Sequence, residues 1–398
     1  ISHHFQKLIK QLDLTEIRNR IDNIDDKLVK LLEERLDIVS DVAKYKKAND
    51  KKIFDGKREK EVIEKNIGKV VGEDHIHYIE KILIDLMNVS KEYQKYKIGE
   101  KFEYINDFDF NMSKVGYTGV PGSYAHEVLM NLLENRATKS NNELEKKETK
   151  IQNYKTHEEL VEAVSNHEID FAVIPIENTL TGEVRDTVDL INEKDVYIVG
   201  EVKHKIEHRL LGVEKVQLDK LQKVFSHEQA LMQCSKFLNK LENIEQISMS
   251  NTAISAEFIS KEANPYYSCV AGKRAQEMYN LVLLQEDISN IRENYTRFII
   301  ISNKMLVTND AKKISIITST TNEAGALFKL LEEFKSNKLS MMSIKSRPII
   351  NKPWEYYFYI DFEGNLHDEV VKHTLDVIRD KSNYLKVLGN YKNLNEEL

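Results

Sequence analysis

Arg35 interrupts an apolar stripe in which a leucine would be ordinary. The stripe runs Leu14, Ile17, Ile21, Ile24, Leu28, Leu31, Arg35, Ile38, Val42 and Tyr45. Its alternating steps of three and four place it on one face of a long amphipathic helix packed along a seam. A guanidinium in such a seam keeps its proton, and burying it is costly unless an anion or a polar network meets it. Lys46 follows about 16 Å further along the helix, at 1.5 Å per residue, on nearly the same face. Two cations aimed into one bundle suit a small dianion. The alternative is an arginine that snorkels to water and a lysine at a helix end.

Other polar residues favour the pocket. Arg18 lies in the first turns of the same helix, and Asp55, Arg58 and Glu59 open a second helical stretch after the polar loop Ala48 to Lys52. A third amphipathic helix, from about Asp74 to Tyr96, carries Ser90 and Gln94 one turn apart on one face. Three such helices make a small all-α domain. Arg18 and Arg35 are about 25 Å apart along a straight helix, too far for both to grip one metabolite. The spacing predicts that Arg18 serves a second copy of the site, in a dimer whose long helices cross between protomers.

These residues, in order and in register, resemble the all-helical chorismate mutases. That family turns chorismate into prephenate by a pericyclic rearrangement, which asks for positioning and charge matching rather than a nucleophile, metal or cofactor. The resemblance implies that Arg18 of a second chain, Arg35 and Arg58 hold two carboxylates. It implies that Lys46 and Gln94 bond the breaking ether oxygen and that Glu59 orients the substrate hydroxyl, with Asp55 and Ser90 in support.

The chain of 398 residues is too long for one ordinary core. Apolar residues at 41% beside 31% charged describe a globular protein. A net charge of −7 argues against broad nucleic-acid binding. No apolar run approaches the roughly 18 residues that span a bilayer, and no secretory leader is recognisable at the start. Cys234 and Cys269 form no CxxC pair, which fits a reducing cytoplasm. His204 and His208 are four apart on a strand-and-turn stretch, where that spacing does not converge on a metal, so structural histidines are preferred.

Beyond a polar connector ending near Ser113, short apolar runs alternate with amphipathic helices, the pattern of an α/β domain. Strands are expected at Val115–Thr118, Phe171–Ile176, Val196–Glu201, Lys223–Phe225, Ser268–Ala271 and Phe298–Ile301. The charged stretch 139–150 reads as a solvated loop. Gly119 to Tyr124 follows the first strand and opens a helix, where main-chain N–H groups can meet an anion. Glu177-Asn178-Thr179 and Ser226 to Gln229 each leave a buried strand where open α/β sheets keep ligands, and Thr296-Arg297-Phe298 enters the last one.

These segments resemble the prephenate dehydratases over 114–302. The resemblance implies two periplasmic-binding-protein-like lobes with the site in the cleft, and the loss of carbon dioxide and hydroxide from prephenate. Hydroxide is a poor leaving group, so a proton donor is the main need. By resemblance Thr296 is that donor or a proton relay to it and Arg297 a carboxylate anchor, with Ser123, Glu177, Asn178, Thr179, Gln229 and Phe298 positioning the substrate. Val120 and Glu228 stand where many relatives carry proline.

From 312 to 392 the pattern is strand, helix, strand, strand, helix, strand, the ferredoxin-like plan. It resembles the ACT regulatory domain, which implies phenylalanine as effector, held between Gly325-Ala326-Leu327 and Ser346-Arg347-Pro348. Lys345 stands where that family usually has glutamate. Taken together the chain resembles the bifunctional chorismate mutase–prephenate dehydratases: an all-α domain at 10–98, a dehydratase domain at 114–302 and an ACT domain at 312–392, cytoplasmic and assembled as a homodimer or homotetramer. Two rivals remain. One is an arogenate dehydratase, whose substrate amine would favour an acidic residue in the cleft. The other is a non-catalytic amino-acid sensor, which has no use for Arg35, Lys46, Arg58 and Gln94.

Overall fold

Leu14–Ala48 is one helix of 35 residues, and it contains neither glycine nor proline to break it. The computed structural model describes residues 14–48, 56–98, 102–106, 113–139, 149–242, 244–320, 323–349 and 354–397. These fall into two compact units that divide between Lys101 and Phe102. In the first unit the long helix packs on Ile76–Ile98, with Gly56–Ile67 as the third helix. The face it uses shares Arg35 with the stripe read from the sequence but not the apolar residues Ile24, Leu28, Leu31 and Ile38. Val39 and Ala43 are the buried apolar residues, whereas Ile24, Leu28, Leu31 and Ile38 are each half exposed or more. Periodicity identifies an apolar face but not what covers it, and within one chain this one is left bare.

The second unit holds a large mixed sheet in the order Met341–Pro348, Tyr356–Glu363, Lys313–Ser319, Tyr384–Asn393, Tyr197–Lys205, Tyr295–Ser302, Phe171–Asn178, Lys114–Thr118, Lys150–Tyr154. The short strand Gly182–Glu183 folds back on Glu177 and Asn178. A second sheet runs Val282–Gln285, Arg209–Gly212, Tyr267–Ala271, Lys223–His227, Glu245–Met249. The chain passes from the first sheet to the second through Ile206–His208 and returns between Gln285 and Tyr295. Two crossings between two sheets make a two-lobed body with a cleft at the crossings.

All six strands expected from 115 to 301 are present, most of them longer than expected. The connector is a correction: Phe102–Ile105 is a strand, paired in parallel with Met305–Thr308. The C-terminal segment is βαββαβ, and its strands lie in the order second, third, first, fourth, the ferredoxin-like arrangement. Its sheet faces the first lobe. Ile317, Tyr359, Leu388 and Tyr391 share one buried cluster with Ile174, Ile176, Ile299 and Ile301. The two are also stitched in parallel at Lys392–Gly200 and Asn393–Glu201. Gly389 permits that approach, since a Cβ there would lie 2.0 Å from the Ile198 carbonyl oxygen. Among the described residues no helix is long and apolar enough to cross a membrane.

Candidate active sites

In the helical unit Arg35 is half-buried and turned onto the helix Ile76–Ile98. Its guanidinium donates to Ser90 Oγ and approaches Met87 Sδ at 3.8 Å. Ser90 in turn donates to the Leu86 carbonyl at 2.6 Å, and burial pulls the Arg35 pKa below its ordinary value. Gln94, one turn beyond Ser90, is buried, and among the described residues its Oε1 has no hydrogen-bond partner. A buried amide oxygen without a donor is costly, so a group that supplies one fits there. Lys46 is half-buried, while Arg18 and Arg58 are exposed, Arg58 lying 3.6 Å from Glu61. The structure therefore brings Arg35, Ser90 and Gln94 to one seam and leaves Arg18 at the surface. Asp55 and the Glu59 side chain lie outside the described residues.

The cleft of the second unit is built on one strand pair. Phe171–Asn178 and Tyr295–Ser302 run antiparallel, with Thr296 opposite Asn178 and Arg297 opposite Glu177. Cross-strand partners share a face and successive residues alternate. Asn178 and Thr296 accordingly turn into the cleft, a space of about 330 Å³ also lined by Tyr124, His208, His227, Gln229, Gln233, Asn251, Thr252 and Asn294.

Asn178 is fully committed there. Its amide donates to Thr296 Oγ1 and to Asn294 Oδ1, both at 2.9 Å. Its Oδ1 accepts from the main-chain N–H groups of Leu180 at 2.9 Å and Thr181 at 3.1 Å. The hydrogen bonds continue away from Thr296. Asn294 donates to Gln233 Oε1 at 3.3 Å, and that oxygen also accepts from His208 Nε2 at 2.7 Å. His208 Nδ1 lies 3.2 Å from the Tyr124 hydroxyl. Burial lowers the His208 pKa, which keeps the ring neutral, and the Gln233 amide oxygen, an acceptor, places its proton on Nε2.

Several residues expected at the substrate are elsewhere, for reasons of geometry. Glu177 and Arg297 leave the opposite face of the strand pair. There Arg297 reaches Asp361 at 3.0 Å, Glu177 at 3.6 Å and Glu201 at 3.7 Å, and Glu201 takes Lys313 at 2.7 Å. Burial opposes the Arg297 charge, but Tyr391, Tyr359, Asp361 and Glu201 around it hold its pKa above the ordinary value. Thr179 Oγ1 is consumed by the main chain, accepting from Tyr295 N at 2.9 Å and donating to the Glu293 carbonyl at 3.4 Å. Phe298 is core, packed with Val115, Val173 and Val202. Ser123 is buried at the start of the helix Tyr124–Lys139, where its Oγ accepts from His126 N at 3.4 Å.

Gln229 does line the cleft. Tyr124, His208, Gln233, Asn251 and Asn294 line it too, and none of them was assigned to the substrate from the sequence, although Tyr124 and Asn294 belong to segments singled out there. The dipeptide before Thr296, Asn294-Tyr295, sits at a strand entry where a polar side chain faces the site, and that was the available signal. Of the six residues expected to hold an effector, Gly325 has φ +82° and precedes the helix Ala326–Ser336, with Ala326 and Leu327 half-buried in its first turn. Ser346 and Pro348 lie on the exposed face of their strand, and Arg347 on the other face pairs with Glu183 at 3.4 Å and with Asp189.

A helical unit with a half-buried arginine at its seam, joined to a two-lobed α/β body with an Asn–Thr pair in its cleft, is a two-site architecture. The comparisons agree. The model of the type II chorismate mutases matches residues 17–95 and that of the prephenate dehydratases residues 115–306. The bifunctional chorismate mutase/prephenate dehydratase of Buchnera aphidicola from Schizaphis graminum is 32% identical over 395 residues, covering 96% of this chain and 97% of its own. That of Escherichia coli K12 is 28% identical over 387 residues, covering 96% and 97%. Among solved structures, the Arthrobacter aurescens prephenate dehydratase in complex with L-Phe is similar, with TM-score 0.61 and 24% identity over 72% of this chain and 91% of its own. This chain belongs to the bifunctional chorismate mutase/prephenate dehydratase family.

Proposed function

We propose that the helical unit converts chorismate to prephenate and that the two-lobed cleft converts prephenate to phenylpyruvate, with Thr296 as the proton donor. In the second reaction the bond to the ring carboxylate breaks, its electrons enter the ring, and the ring hydroxyl departs as water. The observation that carries the donor role is the hydrogen bond from Asn178 to Thr296 Oγ1. A hydroxyl that accepts from an amide points its own proton elsewhere, and here the remaining direction is the cleft. The substrate carboxylates meet neutral donors. Neither a lysine nor an arginine is among the described residues lining the cleft, and Asn251 and Thr252 stand at the start of the helix Thr252–Glu262.

Among the described residues that line it none is aspartate or glutamate either. That favours prephenate over arogenate, whose ammonium group would sit without a counter-charge.

In the first reaction Arg35, Lys46 and Arg58 hold the dianion, and Gln94, buried one turn beyond Ser90, donates through its amide N–H to the breaking ether oxygen beside Lys46. Arg18 acts from a second copy. The bare stripe Ile24, Leu28, Leu31 and Ile38 supports that assembly, because a helix face this apolar is stable in water when another helix covers it. The C-terminal βαββαβ module is an ACT domain that receives phenylalanine beside Gly325 and Ser346. The test supplies chorismate and follows phenylpyruvate with and without phenylalanine. Release of prephenate without phenylpyruvate would sink the second assignment.

A further inference from the structure

The segment 177–194 forms one wall of the cleft, through Asn178, Thr181 and Val184. Its far side is held by the C-terminal sheet. Lys345 Nζ donates to Glu177 Oε1 at 2.7 Å, and Arg347 pairs with Glu183 and Asp189. The Tyr384 hydroxyl donates to Asn192 Oδ1 at 3.0 Å. Lys386 Nζ donates to the carbonyls of Ile191, Asn192 and Lys194 at 2.7, 3.0 and 2.8 Å. None of these four side chains lines the cleft.

The contact nearest the chemistry is the first. Glu177 is joined by one peptide bond to Asn178, whose amide orients Thr296 Oγ1. Its carboxylate lies between two cations, Lys345 at 2.7 Å and Arg297 at 3.6 Å. Without Lys345 the closer attraction is lost and the carboxylate moves toward Arg297, which already holds Asp361 at 3.0 Å. That displacement is passed to the backbone at Asn178. Both Lys345 and Glu177 are partly exposed, so their pairing adds little to global stability. Its effect is local.

We propose that Lys345 is a positioning residue for dehydration. From the C-terminal sheet it fixes Glu177, and through Glu177 the Asn178 amide and the direction of the Thr296 hydroxyl. The inference rests on reading the cleft as the prephenate site. It uses the full chain, with prephenate supplied and phenylpyruvate measured. Lys345→Ala lowers kcat about three- to tenfold, since small misplacements of a reacting group are costly, with KM within about twofold and mutase activity unchanged. Lys345→Arg, whose guanidinium can reach the same carboxylate, restores most of the rate. The double variant K345A/E177Q is no slower than E177Q alone, because the two residues act as one unit. A Lys345→Ala enzyme with parental kcat would overturn the proposal, as would a loss confined to KM or losses that multiply in the double variant. A parent chain inert on prephenate would overturn the reading of the cleft as well, so the two failures are told apart.

Discussion

Asn178 and Thr296 stand opposite each other on antiparallel strands, and the amide donates to the hydroxyl at 2.9 Å. The pairing decides where the Thr296 proton can go. Thr296→Ala removes it, and phenylpyruvate formation from prephenate should fall by about 10²- to 10⁴-fold, the usual span for a lost general acid. Thr296→Ser keeps the hydroxyl and should keep most of the rate. Chorismate consumption should be unchanged in both, and loss of both activities together would point to misfolding instead.

Arg297 leads to a different expectation from that of a substrate anchor. It is the cation shared by Asp361, Glu201 and Glu177, with Lys313 completing the cluster. Removing one member of a buried ion cluster strands the others, at a cost of about 3–5 kcal/mol. Arg297→Ala should therefore lower the denaturation midpoint of the second unit strongly, while the folded fraction binds prephenate with KM little changed. A large rise in KM at parental stability would return Arg297 to the substrate.

Much of this was legible in the chain, and the misplacements have one physical root. Glu177-Asn178-Thr179 and Thr296-Arg297-Phe298 read as units along the sequence, but on a strand alternate side chains part company. Asn178 and Thr296 go to the cleft, Glu177 and Arg297 to the charged layer beneath, and Phe298 to the core. The same limit applies to the long helix. Its spacing reveals an apolar stripe, but which partner covers that stripe is a tertiary fact that spacing does not carry. The strands Lys150–Tyr154 and Glu245–Met249 escaped notice because they are polar edge strands with mostly exposed residues. Asn294 and His208 come to the site only because the chain crosses between lobes there.

His204 supplies a pH dependence. Burial pushes its pKa down to about 4, against a smaller opposing pull from Glu207. Although Glu127 lies 3.8 Å away, burial dominates there too and raises the Glu127 pKa. The unfolded chain takes up the His204 proton near pH 6.5 and the folded chain only near 4. Stability is thus fully present above about pH 6.5 and is lost as the pH falls toward 4, by roughly 3 kcal/mol at most. His204→Asn should flatten this slope in urea titrations at pH 7, 6, 5 and 4.5. An unchanged slope would mean that the ring is already charged in the folded state.

The bare stripe on the long helix gives the last expectation. Leu28 is half exposed in the single chain, in line with Ile24, Leu31 and Ile38, and two copies that bury these residues against each other gain roughly 25 cal/mol per Å² of apolar surface covered. Leu28→Glu places a charge in that seam and should convert the protein to smaller species by sedimentation. Because Arg18 would then have no second copy to serve, chorismate turnover should collapse with the assembly. Dehydration of added prephenate, carried by Thr296 and Asn178 in the other unit, should persist. Arg35→Ala provides the contrast, since it should abolish chorismate turnover at parental assembly state and leave dehydration intact. If Leu28→Glu dissociates the copies and chorismate turnover per chain is unchanged, then each helical unit is complete by itself and Arg18 has no role across the interface.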